Sequence, residues 1–416
     1  MAGAKLPTMA WRNLWRHRRR TVVTLSSIAF GTFLAVIMTA MGDGSYRAMI
    51  DKAATTGSGH VTIQNPEYLE KPALKRTIAV SPERLAAILA DPDVAGAVAR
   101  VVGQTMVATA RDSRGALFFA IDPAAERADT TLAILGNVTA GAMFDAADSK
   151  GIVLGKGLAD ALGVSLGGKV VYTLTDKNGE IVSGLARLSG IVTTGVTSLD
   201  RAIVLLPIGA VRKVLGLAPD EATLVAVFVR DQRKAAAVAR RLDASLGPDV
   251  DALTWEETRP DLSGFIGMKV SSTVVLEVII ALLIAAGIFN TLFVSVMERL
   301  REFGILLAIG FSPARLFSLV MWESLWLALV GVAASAALAA APLYKLVVSG
   351  VDLSSYYLGK KVELAGVAVE ATLRAYVYPE KALFIALAVI IATLLAGLYP
   401  AWRAGKVVPV ESIKLV

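Results

Sequence analysis

Long apolar blocks alternate with mixed polar segments along the chain, and four of the blocks are long enough to cross a bilayer. They cover residues 21–42, 271–297, 317–341 and 381–402. The first block holds no charged residue, and the second and third hold one carboxylate each, Glu277 and Glu323. Because about 20 apolar residues cross the roughly 30 Å hydrocarbon core, this pattern predicts four transmembrane helices.

The first block also allows an alternative, a cleaved signal peptide, since the small residues Ala40 and Gly42 flank Met41. Its apolar run is longer than the roughly 7–15 residues of a signal core. We therefore interpret it as a span. A carboxylate inside a span is costly and usually faces protein or an interface, so Glu277 and Glu323 are expected to do so, with a proton relay as the less favoured alternative.

Composition supports a membrane protein and excludes several site chemistries. The 416 residues are 55% hydrophobic and include no cysteine, and the mean hydropathy is +0.61. Disulfides, cysteine nucleophiles and cysteine metal sites are thereby excluded. His17 and His60 are the only histidines; they are too few for the usual histidine-based sites, and both are predicted to lie on the surface.

The net charge of +7 is concentrated where it orients the chain. Lys5, Arg12, Arg16 and the run 18–20 all precede the first block, which is the positive-inside pattern rather than the basic face of a nucleic-acid-binding fold. The N-terminus is then cytoplasmic. The predicted order is 1–20 cytoplasmic, 43–270 extracytoplasmic, 298–316 cytoplasmic, 342–380 extracytoplasmic and 403–416 cytoplasmic, the last with Arg403, Lys406 and Lys414.

The first segment, 1–20, has an amphipathic pattern. Trp11, Leu14 and Trp15 follow helical i, i+3, i+4 spacing, while Arg12 and Arg16 fall on other faces. Tryptophan favours the membrane interface and arginine favours anionic headgroups. The pattern predicts a helix lying in the cytoplasmic interface, or a topology signal alone.

The segment 43–270 is long enough for a folded domain and mixes strand and helix patterns. Strands are predicted at 101–110, 116–121, 169–175, 184–192, 203–207 and 224–230, helices at 207–216 and 232–246, and a strand, turn and helix at 151–163. The near P-loop at 163–170 has Val170 where magnesium binding needs Ser or Thr, and it runs from helix to strand. The prediction is an α+β domain without a nucleotide, cofactor or metal site.

Two motifs flank the last two blocks. The segment Glu298-Arg-Leu-Arg-Glu-Phe-Gly304 follows the second block, and Tyr399-Pro-Ala-Trp-Arg403 with Pro409-Val-Glu411 follows the fourth. Together with Trp11-Arg-Asn-Leu14 they make the chain, over its whole length, similar to the FtsX/MacB/LolC superfamily of ABC-transporter permeases. The second motif departs from the family pattern in ending Val-Glu-Ser rather than Val-Glu-Ala.

The first motif also has a physical interpretation. Glu298 and Glu302 are spaced i, i+4, Arg299 and Arg301 flank them, and Gly304 permits close approach. A charged helix between two spans suits docking on a cytoplasmic partner, although an ordinary polar loop is the alternative. The resemblance favours a coupling segment in which these five residues contact the ATPase.

The resemblance implies a four-span, non-catalytic subunit of a type VII (mechanotransmission) ABC transporter with a MacB-like periplasmic core domain. It implies a second permease copy or paralogue and two cytoplasmic ABC ATPase subunits that bind ATP and magnesium. It also implies residence in the bacterial inner membrane. Four spans with two isolated carboxylates make a poor polar conduit, which agrees with substrate movement outside the membrane.

Four short segments of the outer region look most like the lipoprotein-releasing LolC/LolE branch: 120–123, 151–159, 254–257 and 350–353. That branch implies lipoproteins as substrate and a periplasmic chaperone as acceptor. Two alternatives stay open, an FtsX-type subunit that activates a peptidoglycan hydrolase and an efflux permease with a periplasmic adaptor. The form with an ATPase fused at the N-terminus is not expected.

Overall fold

A computed structural model describes residues 6–126, 131–355, 362–369 and 371–406. The chain divides into two compact units. The membrane unit comprises 1–45, 268–352 and 372–416, and the sheet unit comprises 46–267 and 353–371. The end of the second motif, Pro409-Val-Glu411, and the basic residues Lys5 and Lys414 lie outside the described residues.

Helices and strands alternate through the chain. The helices are α1 (Leu6–Leu14), α2 (Arg18–Thr56), α3 (Pro82–Leu89), α4 (Lys156–Leu162), α5 (Thr197–Asp200), α6 (Ile208–Leu215), α7 (Ala235–Leu246), α8 (Trp255–Thr258), α9 (Pro260–Glu298), α10 (Leu300–Ala308), α11 (Pro313–Val348) and α12 (Pro379–Gly405). The strands are β1 (Val61–Gln64), β2 (Ile78–Ala79), β3 (Val94–Ala108), β4 (Ser113–Ile121), β5 (Val138–Gly141), β6 (Gly151–Gly155), β7 (Lys169–Thr175), β8 (Ile181–Val192), β9 (Ile203–Pro207), β10 (Glu221–Ala222), β11 (Leu224–Val229), β12 (Asp251–Thr254), β13 (Val351–Asp352), β14 (Val362–Leu364), β15 (Val367–Val369) and β16 (Thr372–Leu373).

Within the described residues, four helices, α2, α9, α11 and α12, are long and apolar enough to cross a membrane. Each predicted span range lies inside one of them, and the helices extend further because their flanking turns are polar but still helical. The third begins at Pro313, with Ser312 at the N-cap position, although the Ser312 side chain makes no capping hydrogen bond.

Small residues bring these helices together. A Cβ added at Gly331 of α11 would lie 2.5 Å from Cγ2 of Ile28 on α2, so only glycine fits there. Ile28 is fully buried and belongs to an apolar cluster with Leu25, Ile288 and Leu327. Close approach at small residues is a usual way of packing helices in lipid, where the hydrophobic effect does not drive them together.

We therefore expect Gly331→Val to lower the melting temperature of the full chain in mild detergent, since overpacking a core contact costs about 1–3 kcal/mol. Gly287→Val is the matched control: a Cβ at Gly287 in α9 meets nothing within 4 Å, and the helix-propensity cost of valine is the same. Equal melting temperatures for the two variants would contradict this packing.

The sheet unit is built on ten strands in the order β12-β1-β11-β3-β4-β9-β6-β8-β5, with β7 paired to β3 and β8. The pairs β4/β9 and β6/β8 are parallel and the others are antiparallel. The long strand β3 pairs with β11 along its first half and with β4 and β7 along its second half. Two main cores result, one around β1, β11 and α7 and one around β4, β6, β9, α4 and α6. The predicted α+β fold is confirmed.

Residues 353–371 change the predicted organisation. The sequence places them in an outer loop at 342–380, but they belong to the sheet unit. Val367 is buried in the first core, and Ser198 Oγ donates a hydrogen bond of 2.8 Å to Glu363 Oε1. These contacts attach the β14–β15 hairpin to the domain, so the segment is not a free loop.

His60 is not the surface residue that the sequence suggests. Its side chain is buried, and Nε2 lies 3.0 Å from Oδ1 of Asp51. The Val229 amide lies 3.4 Å from Nδ1. An acceptor role for Nδ1 places the proton of a neutral ring on Nε2, facing the carboxylate. His17, by contrast, is exposed as predicted.

Arg100 on β3 is the largest fully buried side chain in the sheet unit. Its Nε donates to Glu126 Oε1 at 2.6 Å, and its Nη2 donates to Glu126 Oε2 at 2.9 Å and to the Thr131 carbonyl at 3.0 Å. Its Nη1 donates to the Gly57 carbonyl, one residue after α2. Arg100 thus supplies a donor at the C-terminus of α2, where helix carbonyls lack partners.

Candidate functional site

The motif 298–304 forms the break between the second and third long helices. Helix α9 ends at Glu298, Arg299 leaves helical geometry with φ −103° and ψ 10°, and α10 begins at Leu300. Gly310, with φ +97°, then turns the chain toward α11. A left-handed residue of this kind is most easily glycine. The predicted charged helix is therefore two pieces, with Glu298 on α9 and Glu302 on α10.

One face of α10 is buried in the membrane unit. Phe303 is fully buried and Gly304 is buried beside it. Phe303 packs in a cluster with Val296, Leu316 and Ala401, which come from α9, α11 and α12. Gly304 is therefore not available to a docking partner.

The opposite face of α10 is exposed. Arg301, Ile305 and Ile309 follow i, i+4, i+8 spacing, so they lie along one side of the helix and its C-cap. Ile305 is 49% exposed and Ile309 is 72% exposed, and Arg301 is also exposed. Large apolar side chains with this exposure form a surface suited to a partner. We call Arg301, Ile305 and Ile309 the docking face.

The acidic residues of the motif point toward the N-terminal segment instead. Arg20 donates two hydrogen bonds to Glu298, of 2.6 and 2.7 Å. Arg16 Nη1 lies 2.8 Å from Glu302 Oε1. Both pairs are partly exposed, so each contributes little to stability. Their geometry nevertheless fixes which side of the motif faces the N-terminal segment.

Arg299 is buried and makes the innermost ion pair. Its Nη1 lies 3.0 and 3.1 Å from the two carboxylate oxygens of Glu323 on α11, and its Nε lies 3.3 Å from Glu302 Oε2. Asn13 Nδ2 on α1 donates a third hydrogen bond, of 2.9 Å, to Glu323. Arg299 and Glu323 are only 8% and 7% exposed.

Three carboxylates and three guanidinium groups therefore balance one another around the break between α9 and α10. We call this set the charge cluster; its members are Arg16, Arg20, Glu298, Arg299, Glu302 and Glu323, with Asn13 as a neutral donor. A small cavity of about 40 Å³ beside it is lined by polar groups that include Thr24, Thr291 and Ser295. That volume suffices for an ordered water.

The N-terminal helix differs from the predicted one. Helix α1 ends at Leu14, residues 15–17 form a turn, and α2 begins at Arg18. Leu14 is buried in the apolar cluster of the membrane unit, so it is not an interface residue. Trp11 contacts Trp15 and Trp326 at ring distances of 5.8 and 5.2 Å.

The interface roles of the other N-terminal residues stay predictions. Trp11 and Trp15 are partly exposed, and Arg12 is exposed. Arg16 is also exposed, but its guanidinium is committed to Glu302.

Of the five predicted coupling residues, only Arg301 lies on the docking face. Glu298 and Glu302 are paired within the chain, and Arg299 and Gly304 are buried. Sequence reasoning missed Ile305, Ile309, Asn13 and Arg20. The i, i+4, i+8 spacing from Arg301 was the available signal for the two isoleucines. The lone carboxylate Glu323 was a signal that a buried cation lies opposite it.

A cleft of about 440 Å³ in the sheet unit is lined by Leu85, Val98, Ile208, Leu217 and Arg212 among others. Burial lowers the pKa of Arg212, whose Nε donates to the Glu221 carbonyl at 2.8 Å. A cleft of this size accommodates a small apolar group. Within the described ranges, no cluster of three or more histidine, cysteine, aspartate or glutamate side chains could hold a metal ion.

Two family models match the chain. The MacB-like periplasmic core domain matches residues 21–245, and the FtsX-like permease C-terminal model matches residues 274–409. Together they cover the sheet unit's main part and the last three long helices, including the docking face and most of the charge cluster.

Curated relatives that match more than half of the chain are 24–26% identical. They include the lipoprotein-releasing system transmembrane protein LolC of Xylella fastidiosa, 26% identical over 63% of this chain and 64% of the relative. LolE of Haemophilus influenzae is 24% identical over the same shares. The pyoverdine export ATP-binding/permease protein PvdT of Pseudomonas entomophila is 25% identical over 77% of this chain and 49% of the relative. The chain therefore spans slightly less than two thirds of the length of its LolC and LolE relatives.

Two solved structures of transporter domains match part of this chain at low scores. The extracellular domain of the transporter YknZ from Gram-positive bacteria gives a TM-score of 0.32 at 14% identity and covers 47% of this chain and 99% of that one. The periplasmic region of MacB from Actinobacillus actinomycetemcomitans gives 0.34 at 14% identity, with 50% and 94% covered. Since one family model alone matches more than half of the residues, the chain belongs to the FtsX/MacB/LolC superfamily of ABC-transporter permeases, as a membrane-spanning subunit with a MacB-like periplasmic domain.

Proposed function

We propose that this permease couples ATP hydrolysis by separate cytoplasmic ABC ATPase subunits to the extraction of lipoproteins from the inner membrane. The observation that supports coupling to an ATPase is the docking face. It lies on a short helix between two spans, and this helix is buried on one side and apolar and basic on the other. The lipoprotein half is supported by the LolC and LolE relatives.

The docking face defines the chemistry expected of the ATPase. We expect the ATPase surface to have an apolar groove that binds Ile305 and Ile309 and an acidic rim that contacts Arg301. The work is done by a partner that binds ATP and magnesium, and this chain contributes no catalytic group. Two ATPase copies and a second permease copy or paralogue complete the assembly, because each ATPase needs one coupling helix.

The same proposal fixes the orientation. The arginines at 16 and 18–20 precede the first span and favour a cytoplasmic N-terminus. Helix α10 and residue 406 then lie on the cytoplasmic side, and the sheet unit is periplasmic. In this arrangement the long helices transmit the ATP-driven movement of α10 to the periplasmic domain. The lipoprotein does not pass through a pore, and a periplasmic chaperone accepts it.

Export of a small molecule is the second candidate, favoured by one observation: the match to PvdT covers more of this chain than the LolC and LolE matches do. In that case the periplasmic domain works with an adaptor. An FtsX-type signalling role, in which ATP activates a peptidoglycan hydrolase, is the third.

Site-specific photocrosslinking in living cells distinguishes the three. A photoreactive residue is placed at Ile181, Leu185 or Met106, which are exposed on the periplasmic domain, and the captured partner is identified by mass. The proposal predicts acylated lipoproteins and a soluble carrier. A membrane-fusion adaptor would move the protein to efflux, and a cell-wall hydrolase or its activator would move it to signalling.

A further inference from the structure

The packing of Phe303 and the side-chain contacts of Arg299 both hold α10 at the break that follows α9. Helix α10 has nine residues, and it is bounded by the break at Arg299 and by the left-handed Gly310. The side chain of Arg299 makes no cap for α10. Its contacts go instead to Glu323, to Glu302 and to the face of Phe303, whose ring centre lies 5.0 Å away. The angle at this break therefore depends on what Arg299 is anchored to.

Glu323 is that anchor. Its two oxygens accept hydrogen bonds from Arg299, and one of them also accepts a hydrogen bond from Asn13 of α1. Both members of the ion pair are almost completely buried. Losing one partner of such a pair leaves an uncompensated buried charge, which is far more costly than losing an exposed pair. The outer pairs Arg16–Glu302 and Arg20–Glu298 are screened by solvent, so they contribute little to stability. They mainly fix which side of the motif faces the N-terminal segment.

Glu323 also joins elements that are remote in sequence. Asn13 lies on α1, Arg299 at the start of α10, and Glu323 on α11. Trp326, one turn after Glu323, donates from Nε1 to the Pro7 carbonyl at 3.1 Å and so holds α1 on the same side of α11. Helix α1 is thus attached to the base of the docking face through two residues of α11.

We propose that Glu323 is a positioning residue that sets the orientation of α10 for docking, and that α1 moves with α10 as part of one coupling element. The docking role of α10 rests on the proposed function, but the positioning itself does not. The alternative is that the Glu323–Arg299 pair only stabilises the packing of the helices and does not orient α10. A second carboxylate in the membrane unit permits a comparison, because Glu277 on α9 accepts a 2.5 Å hydrogen bond from Thr39 on α2.

The first measurement needs no partner. The chain has no cysteine, so Arg16→Cys with Glu302→Cys gives the only two thiols, one beside α1 and one on α10. The rate of their crosslinking by a short bis-maleimide in membranes reports how often the two segments are adjacent. We expect Glu323→Gln to slow this rate by about tenfold, Asn13→Ala to slow it by a smaller factor, and Glu277→Gln to leave it unchanged. An unchanged rate in Glu323→Gln would overturn the positioning role.

The second measurement uses the complete complex. We expect Glu323→Gln to raise the ATPase concentration required for half-maximal stimulation, and also to lower the melting temperature more than Glu277→Gln does, because it breaks a buried ion pair. A lowered melting temperature with normal stimulation would mean that the pair is only structural, and would overturn the proposal. If crosslinking responds as expected but no ABC ATPase binds the wild-type chain, the positioning stands and the proposed function fails.

Discussion

Arg100→Met is expected to destabilise the periplasmic domain by about 3–5 kcal/mol, because it leaves a buried carboxylate without its cation. Arg100 donates four hydrogen bonds, and Glu126 receives two of them in a fully buried site. The Gly57 carbonyl at the end of α2 also loses its donor. Hydrogen exchange of the full chain in detergent measures the effect, read from the amides of β3 and β11.

Two controls sharpen this result. Arg241→Met removes an exposed arginine that bonds Asp91 and Asp93. Its hydrogen bond keeps the pKa of Asp91 below the usual value, yet water replaces it easily, so exchange in β3 is expected to stay unchanged. Arg100→Met combined with Glu126→Leu removes both charges and is expected to recover much of the lost stability. Exchange in Arg100→Met equal to that in Arg241→Met would contradict the assigned role.

The double variant Ile305→Asp, Ile309→Asp is expected to weaken association with the ATPase by about a hundredfold or more. Two apolar anchors at the centre of an interface each carry about 2 kcal/mol or more, and aspartate also introduces repulsion toward an acidic rim. The face that these residues occupy is exposed, so the fold of the chain should tolerate the change. Co-purification of the ATPase with the tagged chain, at graded salt, measures the loss.

Ile181→Asp is the matched control for that experiment, since it makes the same change at an apolar residue that is at least as exposed but lies in the periplasmic domain. It should retain the ATPase fully. If the docking-face variant retained its ATPase but no longer inserted into the membrane, α10 would be facing lipid, and the docking assignment would be wrong. Reversal of Arg301 alone, Arg301→Glu, should give an intermediate loss that varies with salt.

The elements that the sequence predicts well are those with strong local signals. The four spans follow from long apolar runs that hold at most one charged residue each. The strand, turn and helix at 151–163 are found as β6 and α4, with Gly163 in the left-handed conformation that ends the helix. The strands predicted at 169–175 and 184–192 are found as the β7–β8 hairpin, because alternation and turn residues are strong local signals.

Strands that are short and fully buried cannot be predicted from alternation and turn residues. Strand β1 has four residues, all buried, and lies between β11 and β12 near the edge of the sheet. Four residues are too few to display alternation, and a strand buried on both faces has none. The parallel pairing of β4 with β9 is also invisible, because the two strands are separated by more than 80 residues and no local pattern specifies the register.

The candidate site was located by its motif, but its internal arrangement could not be predicted. Arg20 and Glu298 are 278 residues apart, and Asn13 and Glu323 are 310 apart. Spacing within the motif showed that Glu298 and Glu302 share a side, and they do, but it could not show that this side is occupied by arginines of the same chain. In the structure Arg299, Gly304 and Leu14 are buried, so they do not have the surface roles that the sequence suggests.

ATP-dependent release of an acylated lipoprotein from proteoliposomes tests the central claim most directly. The vesicles contain this chain with its ATPase, and a periplasmic carrier is supplied outside. The account predicts release that needs ATP hydrolysis and is lost in the Ile305→Asp, Ile309→Asp variant while the lipoprotein still binds. Vigorous ATP hydrolysis by the complex without any release of lipoprotein would contradict it.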